Sequence, residues 1–348
     1  MDVKGSFKDT YMKESIDKKA MQAAQKRWND IAKPVGSLGA LEDVIIRLAG
    51  ITKNSNPVID KRAVIVACAD NGIVAQGVAQ TPGEITAVMA SFIAEGRSSV
   101  CIMAKAANTD VITVDMGMFS RLPEAKILDR RLGDGTKDMS MCPAMSLEQA
   151  KRGVETGIEL VGQLKQEGYQ IIATGEMGIG NTTSSSAVAA ALLDLKVEDV
   201  TGRGVGLTDE GLLRKINAIK KAIEINKPDK ADGLDVLSKL GGFDIAALCG
   251  VFLGGERHGV PILIDGFISS VSALLAYRLS PSARDFMIAS HLSAEPAARK
   301  ILDELELSPL IDARFRLGEG TGAVAALPLI DMGLAVYRDL MTYEDIGM

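Results

Sequence analysis

Two glutamates stand on glycine-rich segments of the chain, and carboxylates in such positions are suited to acid–base chemistry. Glu176 lies in segment 174–187, directly after a short apolar run, and Glu319 lies between two glycines in segment 314–323. Glycine has no Cβ, so the backbone at these turns can approach a ligand closely. A carboxylate held there could take up a proton or stabilise a developing positive charge. Either segment could instead be an ordinary turn in which the glutamate only complements the dipole of the next helix.

A second set of residues is suited to phosphate binding. The run 170–174 predicts a strand, and the residues from Thr183 onward predict a helix. The start of such a helix offers unpaired N–H groups and a positive dipole end to a phosphate. A further glycine-rich loop, 201–206, precedes a predicted helix, 209–226, that contains Lys215. Lys215 could reach a phosphate as a point charge, or it could be a solvated helix lysine.

Apolar runs alternate with helical patterns along the middle of the chain. Strands are predicted at 63–69, 110–115, 170–174, 260–265 and 285–290. Helices are predicted between and after them, including 86–107, 146–167 with Ser146 and Gln149 as a capping box, 267–279 and 295–305. The alternation predicts an α/β fold, in which a parallel sheet with right-handed crossovers is covered by helices on both faces.

The two ends of the chain are predicted to be helical and to contribute no strand. Residues 11–50 are amphipathic, with a break at 33–39 where a proline and two glycines interrupt the pattern, and residues 323–341 are also helical. We therefore predict a small helical domain formed by residues 1–55 together with 320–348. The large α/β catalytic domain is predicted to span residues 56–319.

The composition disfavours several classes of protein. The 348 residues are 47% hydrophobic with a net charge of −6, and no basic stripe with interleaved aromatics indicates nucleic-acid binding. Four cysteines without a CxxC pair and only two histidines give no basis for a metal site. The charged N-terminus lacks the apolar core of a signal peptide, and no apolar run reaches the ~18 residues of a membrane span, so we expect a cytoplasmic protein. No G-x-G-x-x-G follows the first strand with an acidic residue ~20 positions later, which disfavours a nucleotide-dependent oxidoreductase.

Several segments of the chain together resemble one known family. They are 33–39, 70–72, 175–183, 202–204, 241–246, 290–296 and 317–322, in order along nearly the whole sequence. The two segments that contain Glu176 and Glu319 are long and specific. On these residues the chain resembles the nicotinate-nucleotide:dimethylbenzimidazole phosphoribosyltransferases (CobT), which make the lower-ligand nucleotide of cobamides.

The resemblance implies a Rossmann-like α/β domain, a small helical domain and a dimer. It implies transfer of the 5-phosphoribosyl group from nicotinate mononucleotide to a base such as dimethylbenzimidazole, which gives an α-ribotide and nicotinate without a cofactor. By this resemblance Glu319 is the catalytic base, and Glu176 is its companion carboxylate at the ribose and the base. Four further positions would hold the phosphate and the ribose: Gly178, Gly204, Lys215 and Ser293.

The acceptor side of the predicted site departs from the family pattern. The family's Asp-His-Gly motif has Asn71 in its middle position here, so a protonic role at that position is lost. Stretch 77–89 lines the acceptor pocket in the family and is altered in this chain. Together with positions from the two glutamate segments, it gives five further candidates for substrate binding: Gln80, Val88, Met177, Leu317 and Gly320. Of these, Met177 and Val88 would form an apolar, adaptable wall for a benzene ring.

Alternatives to benzimidazole transfer by a homodimer stay open at this stage. Some relatives attach phenolic compounds and work as heteromers of two such chains, so phenol or p-cresol is a second acceptor hypothesis, with a homologous partner chain. A catalytically weak regulatory or scaffolding subunit is another hypothesis. The retention of both Glu176 and Glu319 argues against it.

Overall fold

The computed structural model describes residues 15–122, 125–204 and 206–348, and its centre is a parallel β-sheet. The strands are β1 (Arg62–Ala69), β2 (Asp110–Gly117), β3 (Leu128–Asp129), β4 (Ile171–Met177), β5 (Ile262–Ile264) and β6 (Met287–Ala289). They pair in the order β3-β2-β1-β4-β5-β6, and every neighbouring pair is parallel. This is the strand order of Rossmann folds. The predicted fold class is therefore confirmed.

Helices connect the strands and cover the sheet. They are α1 (Lys18–Asp30), α2 (Ala40–Thr52), α3 (Ile85–Ala94), α4 (Ser99–Ala106), α5 (Leu147–Gln166), α6 (Asn181–Leu193), α7 (Val197–Val200), α8 (Asp209–Asn226), α9 (Gly233–Leu240), α10 (Phe243–His258), α11 (Phe267–Leu279), α12 (Ala298–Glu304) and α13 (Thr321–Asp339). Short 3-10 turns lie at Gly72–Gln76, Pro281–Phe286 and Glu344–Ile346. Helix α5 begins at the predicted capping box, in which the Ser146 hydroxyl accepts from the Gln149 N–H at 3.1 Å.

The central strand β1 is buried on both faces, because its alternate residues belong to two hydrophobic clusters. Ile65 and Ala67 pack in the cluster that contains residues of α5, α10 and α11. Val64 and Val66 pack in the cluster that contains residues of α2, α4 and α13. Continuous apolar runs such as this one are typical of strands covered on both sides. The prediction of helices on both faces is thus confirmed.

The single helix predicted at 86–107 is two helices, α3 and α4. Helix α3 closes where the Gly96 N–H donates to the Ile93 carbonyl at 3.0 Å, and Gly96 has a φ of +75° that only glycine adopts easily. The whole stretch Ile85–Ala106 is apolar and long enough to cross a membrane by length and composition alone. Its two helices have 10 and 8 residues, and each is too short for a span.

The helices of the two chain ends pack on each other. The rings of Trp28 in α1 and Tyr337 in α13 are 5.1 Å apart between centroids, and Arg27 Nε donates to the Tyr337 carbonyl at 3.2 Å. Leu327 and Ile330 of α13 also join the hydrophobic cluster that contains one face of β1. The terminal helices and the sheet therefore share a cluster, and the domain division at residues 55 and 320 stays a prediction.

Candidate active site

A cavity lies beside the carboxyl end of β4, which neighbours β1 at the point where the strand order reverses. Open α/β sheets bind ligands there, because connections that leave in opposite directions open a crevice. The cavity holds about 970 Å³ of empty space, including solvent at its mouth. It brings together most of the residues that we singled out from the sequence: Gln80, Glu176, Met177, Gly178, Gly204, Lys215, Ser293, Leu317 and Glu319.

The two other candidates, Val88 and Gly320, are not among the described residues that line this cavity. Val88 lies on α3 with 46% of its surface exposed. Gly320 lies at the start of α13 with a φ of +94°, and a Cβ at this position would come within 2.6 Å of the Val64 side chain. Gly320 therefore contributes through close packing beneath the site.

Glycines allow the two glutamate-bearing segments to pack closely against each other. A Cβ on Gly175 would lie 2.4 Å from the Glu319 carbonyl oxygen, and a Cβ on Gly318 would lie 2.4 Å from Glu176 Oε1. Real Cβ atoms do not approach other atoms so closely, and Gly318 also has a φ of +86°, so both positions favour glycine. The glycines flanking each glutamate thus explain how carboxylates 143 positions apart in the chain (176 and 319) come to line one cavity.

Glu319 is a buried carboxyl held in a strained backbone conformation. Its φ is +61°, which is uncommon for a residue other than glycine, and 6% of its surface is exposed. Burial raises the pKa of this carboxyl above its usual value, although hydrogen bonds from the Val100 N–H at 3.4 Å and from Ser98 partly oppose the rise. A raised pKa makes Glu319 a stronger base near neutral pH. Strained backbone of this kind clusters at functional sites.

The loop that carries Glu319 is anchored to the sheet by Asp265, which directly follows β5. Asp265 Oδ1 accepts from the N–H groups of Gly322 and Ala323 at 2.8 and 3.0 Å, and Oδ2 accepts from the Gly320 N–H at 3.2 Å. A carboxylate suits this place because α13 begins here with the positive end of its dipole. The position of Glu319 is thereby tied to the end of a strand.

Glu176 is connected through Asn181 to a further buried carboxyl, that of Asp244. Asn181 donates through one nitrogen, Nδ2, to Glu176 Oε2 and to Asp244 Oδ2, the latter at 3.0 Å. Burial raises the pKa of Glu176 to about 8, and the negative charge of Asp244 adds to the rise. Burial also raises the pKa of Asp244 to about 6. Burial and the neighbouring negative charge therefore both favour the protonated form of Glu176.

The same cavity contains a buried lysine. Lys215 is 1% exposed, and its Nζ donates to Thr182 Oγ1 at 2.9 Å and to the Gly202 carbonyl at 3.1 Å. Burial lowers the pKa of Lys215 to about 8, an effect that the charge of Glu295 partly opposes. The alternative that Lys215 is a solvated helix lysine is wrong. Helix α6 begins at Asn181 without a side-chain cap, and its N-terminus lines the cavity between the carboxyls and Lys215 through Asn181 and Thr182.

Comparisons with known proteins identify the family. A profile of the family described as Phosphoribosyltransferase matches residues 13–348. The chain is 44% identical over 328 residues to the nicotinate-nucleotide--dimethylbenzimidazole phosphoribosyltransferase of Acetivibrio thermocellus, covering 94% of this chain and 93% of that protein. It is also 44% identical over 330 residues to the protein of the same name from Clostridium acetobutylicum, covering 95% and 94%. The crystal structure of CobT from Thermus thermophilus superposes with a TM-score of 0.90 at 38% identity, covering 95% of this chain and 99% of that one.

The chain belongs to the nicotinate-nucleotide:dimethylbenzimidazole phosphoribosyltransferase family. The resemblance drawn from the glutamate segments is confirmed, and so is the identification of the chain as a phosphoribosyltransferase. Within the described ranges, no group of three or more His, Cys, Asp and Glu side chains is suited to a metal ion.

The phosphoribosyltransferase site also contains residues that sequence reasoning missed. His291, which is buried, and Glu295, which is half-buried, line the cavity together with the cations Arg203 and Arg316. Burial raises the pKa of Glu295 and lowers that of His291. Segment 290–296 carries both His291 and Glu295, so the family resemblance was the signal that could have found them.

Asn71, at the position where the resemblance predicts a histidine, is buried and is not among the described residues that line the cavity. Its Oδ1 accepts from the Ser184 hydroxyl at 3.0 Å. Asn71 therefore ties the end of β1 to helix α6 behind the cavity. The lost titratable group lies outside the wall that a substrate would touch.

Proposed function

We propose that this enzyme transfers the 5-phosphoribosyl group of nicotinate mononucleotide to dimethylbenzimidazole or a similar base, giving an α-ribotide and nicotinate in cobamide biosynthesis. The observation that supports this reaction is the placement of two buried carboxyls, Glu176 and Glu319, in one cavity with the buried Lys215. Nicotinate mononucleotide carries an anionic phosphate at one end and, at the other, a pyridinium ring that is cationic at the nitrogen joined to C1′ and that also bears a carboxylate. The phosphate suits the buried Lys215, and the cationic nitrogen beside C1′ suits the carboxyls.

The phosphate is assigned to the end that contains Lys215. The ammonium group of Lys215 uses two of its three donors on Thr182 and Gly202, and the third suits a phosphate oxygen. The glycine turn at Gly178 and Gly180 leads into the N-terminus of α6, which is a favourable place for an anion. Two more residues, Gly204 and Ser293, line the same end and complete the proposed phosphate and ribose contacts.

The carboxyls are assigned to the reacting carbon. The bond from C1′ to the pyridinium nitrogen breaks with its electron pair remaining on that nitrogen, so nicotinate leaves neutral at the ring and needs no general acid. The ribose then has oxocarbenium character, which the charge of Glu176 stabilises. One nitrogen of the benzimidazole forms the new bond to C1′, and the proton on its other nitrogen passes to Glu319. General-base assistance of this kind contributes roughly 10²- to 10⁴-fold in rate.

The acceptor is assigned to the apolar side chains that line the cavity, which we call the acceptor wall. They are Val78, Met177, Leu207, Phe267 and Leu317. Such a wall holds a flat ring by contact rather than by polar anchors, and methionine adapts its shape to the ring. The wall supports a benzimidazole, and it sets no polar requirement that would reject a phenol.

A product assay tests the proposal. The purified chain is incubated with nicotinate mononucleotide and, separately, with dimethylbenzimidazole, adenine, phenol and p-cresol, and the products are identified by mass spectrometry. We expect an α-ribotide and nicotinate with dimethylbenzimidazole. Phenolic products, from this chain alone or with a homologous partner chain, would establish the second acceptor hypothesis. No product with any acceptor would contradict the proposed activity of the isolated chain.

We further infer that the enzyme acts as a dimer in the cytoplasm. Helices α3 and α4 present Phe92 and Ile102, which are 36% and 66% exposed, and such apolar side chains suit a subunit contact. Both proposed substrates are small metabolites of the cell interior. Sedimentation at several protein concentrations tests the assembly, and a stable, fully active monomer would contradict it.

A further inference from the structure

Behind the cavity, Glu176 is joined to a second carboxyl that the proposed reaction does not use. Asp244 lies in the first turn of α10, is 0% exposed and is not among the described residues that line the cavity. One nitrogen of Asn181 bridges the two groups, because Nδ2 donates to Glu176 Oε2 and to Asp244 Oδ2. Asp244 Oδ1 accepts from the Ile245 N–H at 2.9 Å, so both carboxyl oxygens of Asp244 are held by fixed donors.

The bridge determines which way each group faces. Two carboxyl oxygens converge on one side of the Asn181 amide, and the nitrogen faces them because its two hydrogens serve both acceptors. With Oε2 of Glu176 held in this way, the other oxygen, Oε1, lies where a Cβ on Gly318 would come within 2.4 Å of it. Oε1 therefore faces the loop that carries Glu319, on the cavity side.

Ionising both bridged carboxyls at once costs free energy. Both are buried, and each negative charge opposes the other across a single amide group. Asp244 accepts from two fixed donors, the Asn181 amide and the Ile245 N–H, and Glu176 accepts from the Asn181 amide, so hydrogen bonding favours the ionised form of Asp244 and leaves the proton of the pair on Glu176.

We propose that Asp244 is a positioning residue that acts through Asn181: it orients Glu176 toward the reacting carbon and keeps Glu176 protonated until a cationic substrate enters. The inference rests on the proposed phosphoribosyl transfer. When the pyridinium binds, its positive charge favours the ionised form of Glu176, and the proton leaves to bulk water through the open mouth of the cavity. The carboxylate is thus generated only in the presence of the cation that it stabilises.

Other titratable groups also face this pair. Asp265 and Glu319 add negative charge near Glu176, and Asp70, which follows β1, adds negative charge near Asp244. Cys68 on β1 is close to both, and burial raises the pKa of its thiol so that it stays neutral. The proposal therefore concerns the part of the rise in the Glu176 pKa that the charge of Asp244 causes. This is the largest contribution after burial.

The test compares Asp244→Asn with Asp244→Ala. The Asn variant keeps an oxygen that can accept from Asn181 and removes the negative charge. We expect its plateau kcat to stay within about threefold of wild type, while the acid limb of kcat/KM, which reports the free enzyme, moves about one pH unit lower. The Ala variant loses both the charge and the acceptor. Its plateau kcat should fall at least about tenfold with the KM for nicotinate mononucleotide unchanged.

A matched control and a measurement on the unmodified enzyme complete the test. Ser184→Ala removes a buried hydroxyl one turn from Asn181 that contacts Asn71, and it should change neither the pH profile nor kcat. Calorimetry of nicotinate mononucleotide binding at pH 7, in two buffers of different ionisation enthalpy, should show release of roughly half to one proton per site. Asp244→Asn should reduce that release.

The outcomes separate the two proposals. No product from the unmodified enzyme means that the proposed transfer is wrong. An active enzyme that releases no proton on binding, or an unchanged acid limb in Asp244→Asn, would overturn the role of Asp244 alone. Equal losses of kcat in the Asn and Ala variants with matching losses of thermal stability would also overturn it, because they indicate a purely structural residue.

Discussion

The Glu176 carboxyl and the Lys215 ammonium, which define the two proposed ends of the cavity, are similarly buried. Burial shifts their pKa values in opposite directions. At one end burial raises the pKa of the Glu176 carboxyl to about 8, and at the other it lowers the pKa of the Lys215 ammonium to about 8. In both cases the apolar surroundings disfavour the charged form. The empty cavity therefore holds two groups whose ionised forms are destabilised. A substrate with a cation at one end and an anion at the other relieves both.

The ends differ in what holds their side chains. The carboxyl end is fixed by contacts within the protein, because Asn181 binds Glu176 and Asp265 binds the loop of Glu319. At the other end, two protein oxygens accept from the Lys215 ammonium, which leaves its third donor to the ligand. A rigid acidic end suits chemistry at one carbon, and a simpler cationic end suits the binding of a phosphate. Changes at the two ends should therefore affect different kinetic constants.

Glu319→Gln should produce the largest effect. The amide keeps the size of the side chain and cannot take the acceptor's proton, so we expect kcat to fall on the order of 10²-fold or more. The KM for nicotinate mononucleotide should change little. Steady-state kinetics measures both constants. The control is Glu256→Gln, because Glu256 is a buried carboxyl that is not among the described lining residues. Turnover close to wild type would show that Glu319 is not the base.

Lys215→Met should affect binding rather than turnover. The variant keeps the apolar stem and removes the charge, so the KM for the mononucleotide should rise about tenfold or more, while kcat at saturation changes less than about threefold. The matched control is Lys220→Met on the same helix, whose side chain is 51% exposed and pairs with Glu198. An equal rise in KM for both variants would refute the assignment of the phosphate to Lys215.

The pH dependence of stability should differ in sign between the two ends. The folded pKa of Glu176 lies above its usual value of 4.5, so its contribution to stability is fully present below pH 4.5 and is lost as pH rises through about 8. The gain in Tm from Glu176→Gln should therefore grow with pH over this window and reach several degrees. The folded pKa of Lys215 lies below 10.5, so the gain from Lys215→Met should be greatest below pH 8 and vanish toward pH 10.5.

Calorimetric melting of the three proteins from pH 5 to 10 measures these trends. The expected Tm differences run in opposite directions with pH, since one variant removes a buried acid and the other a buried base. Parallel curves for the two variants would mean that burial does not control the charge of both groups.

The acceptor wall should give the smallest effect. Met177→Ala removes an apolar side chain from the cavity, and we expect the KM for dimethylbenzimidazole to rise about threefold to tenfold with the KM for the mononucleotide unchanged. Val88→Ala is the control, because Val88 lies on α3 and is not among the described lining residues. A larger effect from Val88 than from Met177 would indicate that α3 reaches the acceptor in the working assembly.

The fold class could be predicted from the sequence because it depends on local signals, whereas most of the candidate site residues followed from the family resemblance. Glycines around Glu176 and Glu319 indicate turns, and the alternation of strands and helices indicates a parallel sheet. The break between α3 and α4 was missed, since a single glycine such as Gly96 is often tolerated within a helical pattern. Boundaries of this kind depend on a few hydrogen bonds that the composition does not reveal.

Contacts between distant segments explain the remaining differences. Asn181 and Asp244 are 63 positions apart, and nothing in either segment alone indicates that one amide bridges two carboxyls. The burial of Lys215 likewise depends on how α8 packs against the loop around Gly202. Val88 was expected near the acceptor from its place in stretch 77–89, and in this chain it lies within α3 with 46% of its surface exposed.

The glycine contacts around Glu176 and Glu319 also constrain how this enzyme can evolve. At Gly175 and Gly318 any side chain would collide with the opposite segment, so almost no single mutation is neutral there. Leu317, by contrast, is 54% exposed and ends in the open cavity. Substitutions can therefore accumulate in the acceptor wall without disturbing the reacting carboxyls. Lineages with this architecture are free to diversify the base that they attach while they inherit an unchanged transfer reaction.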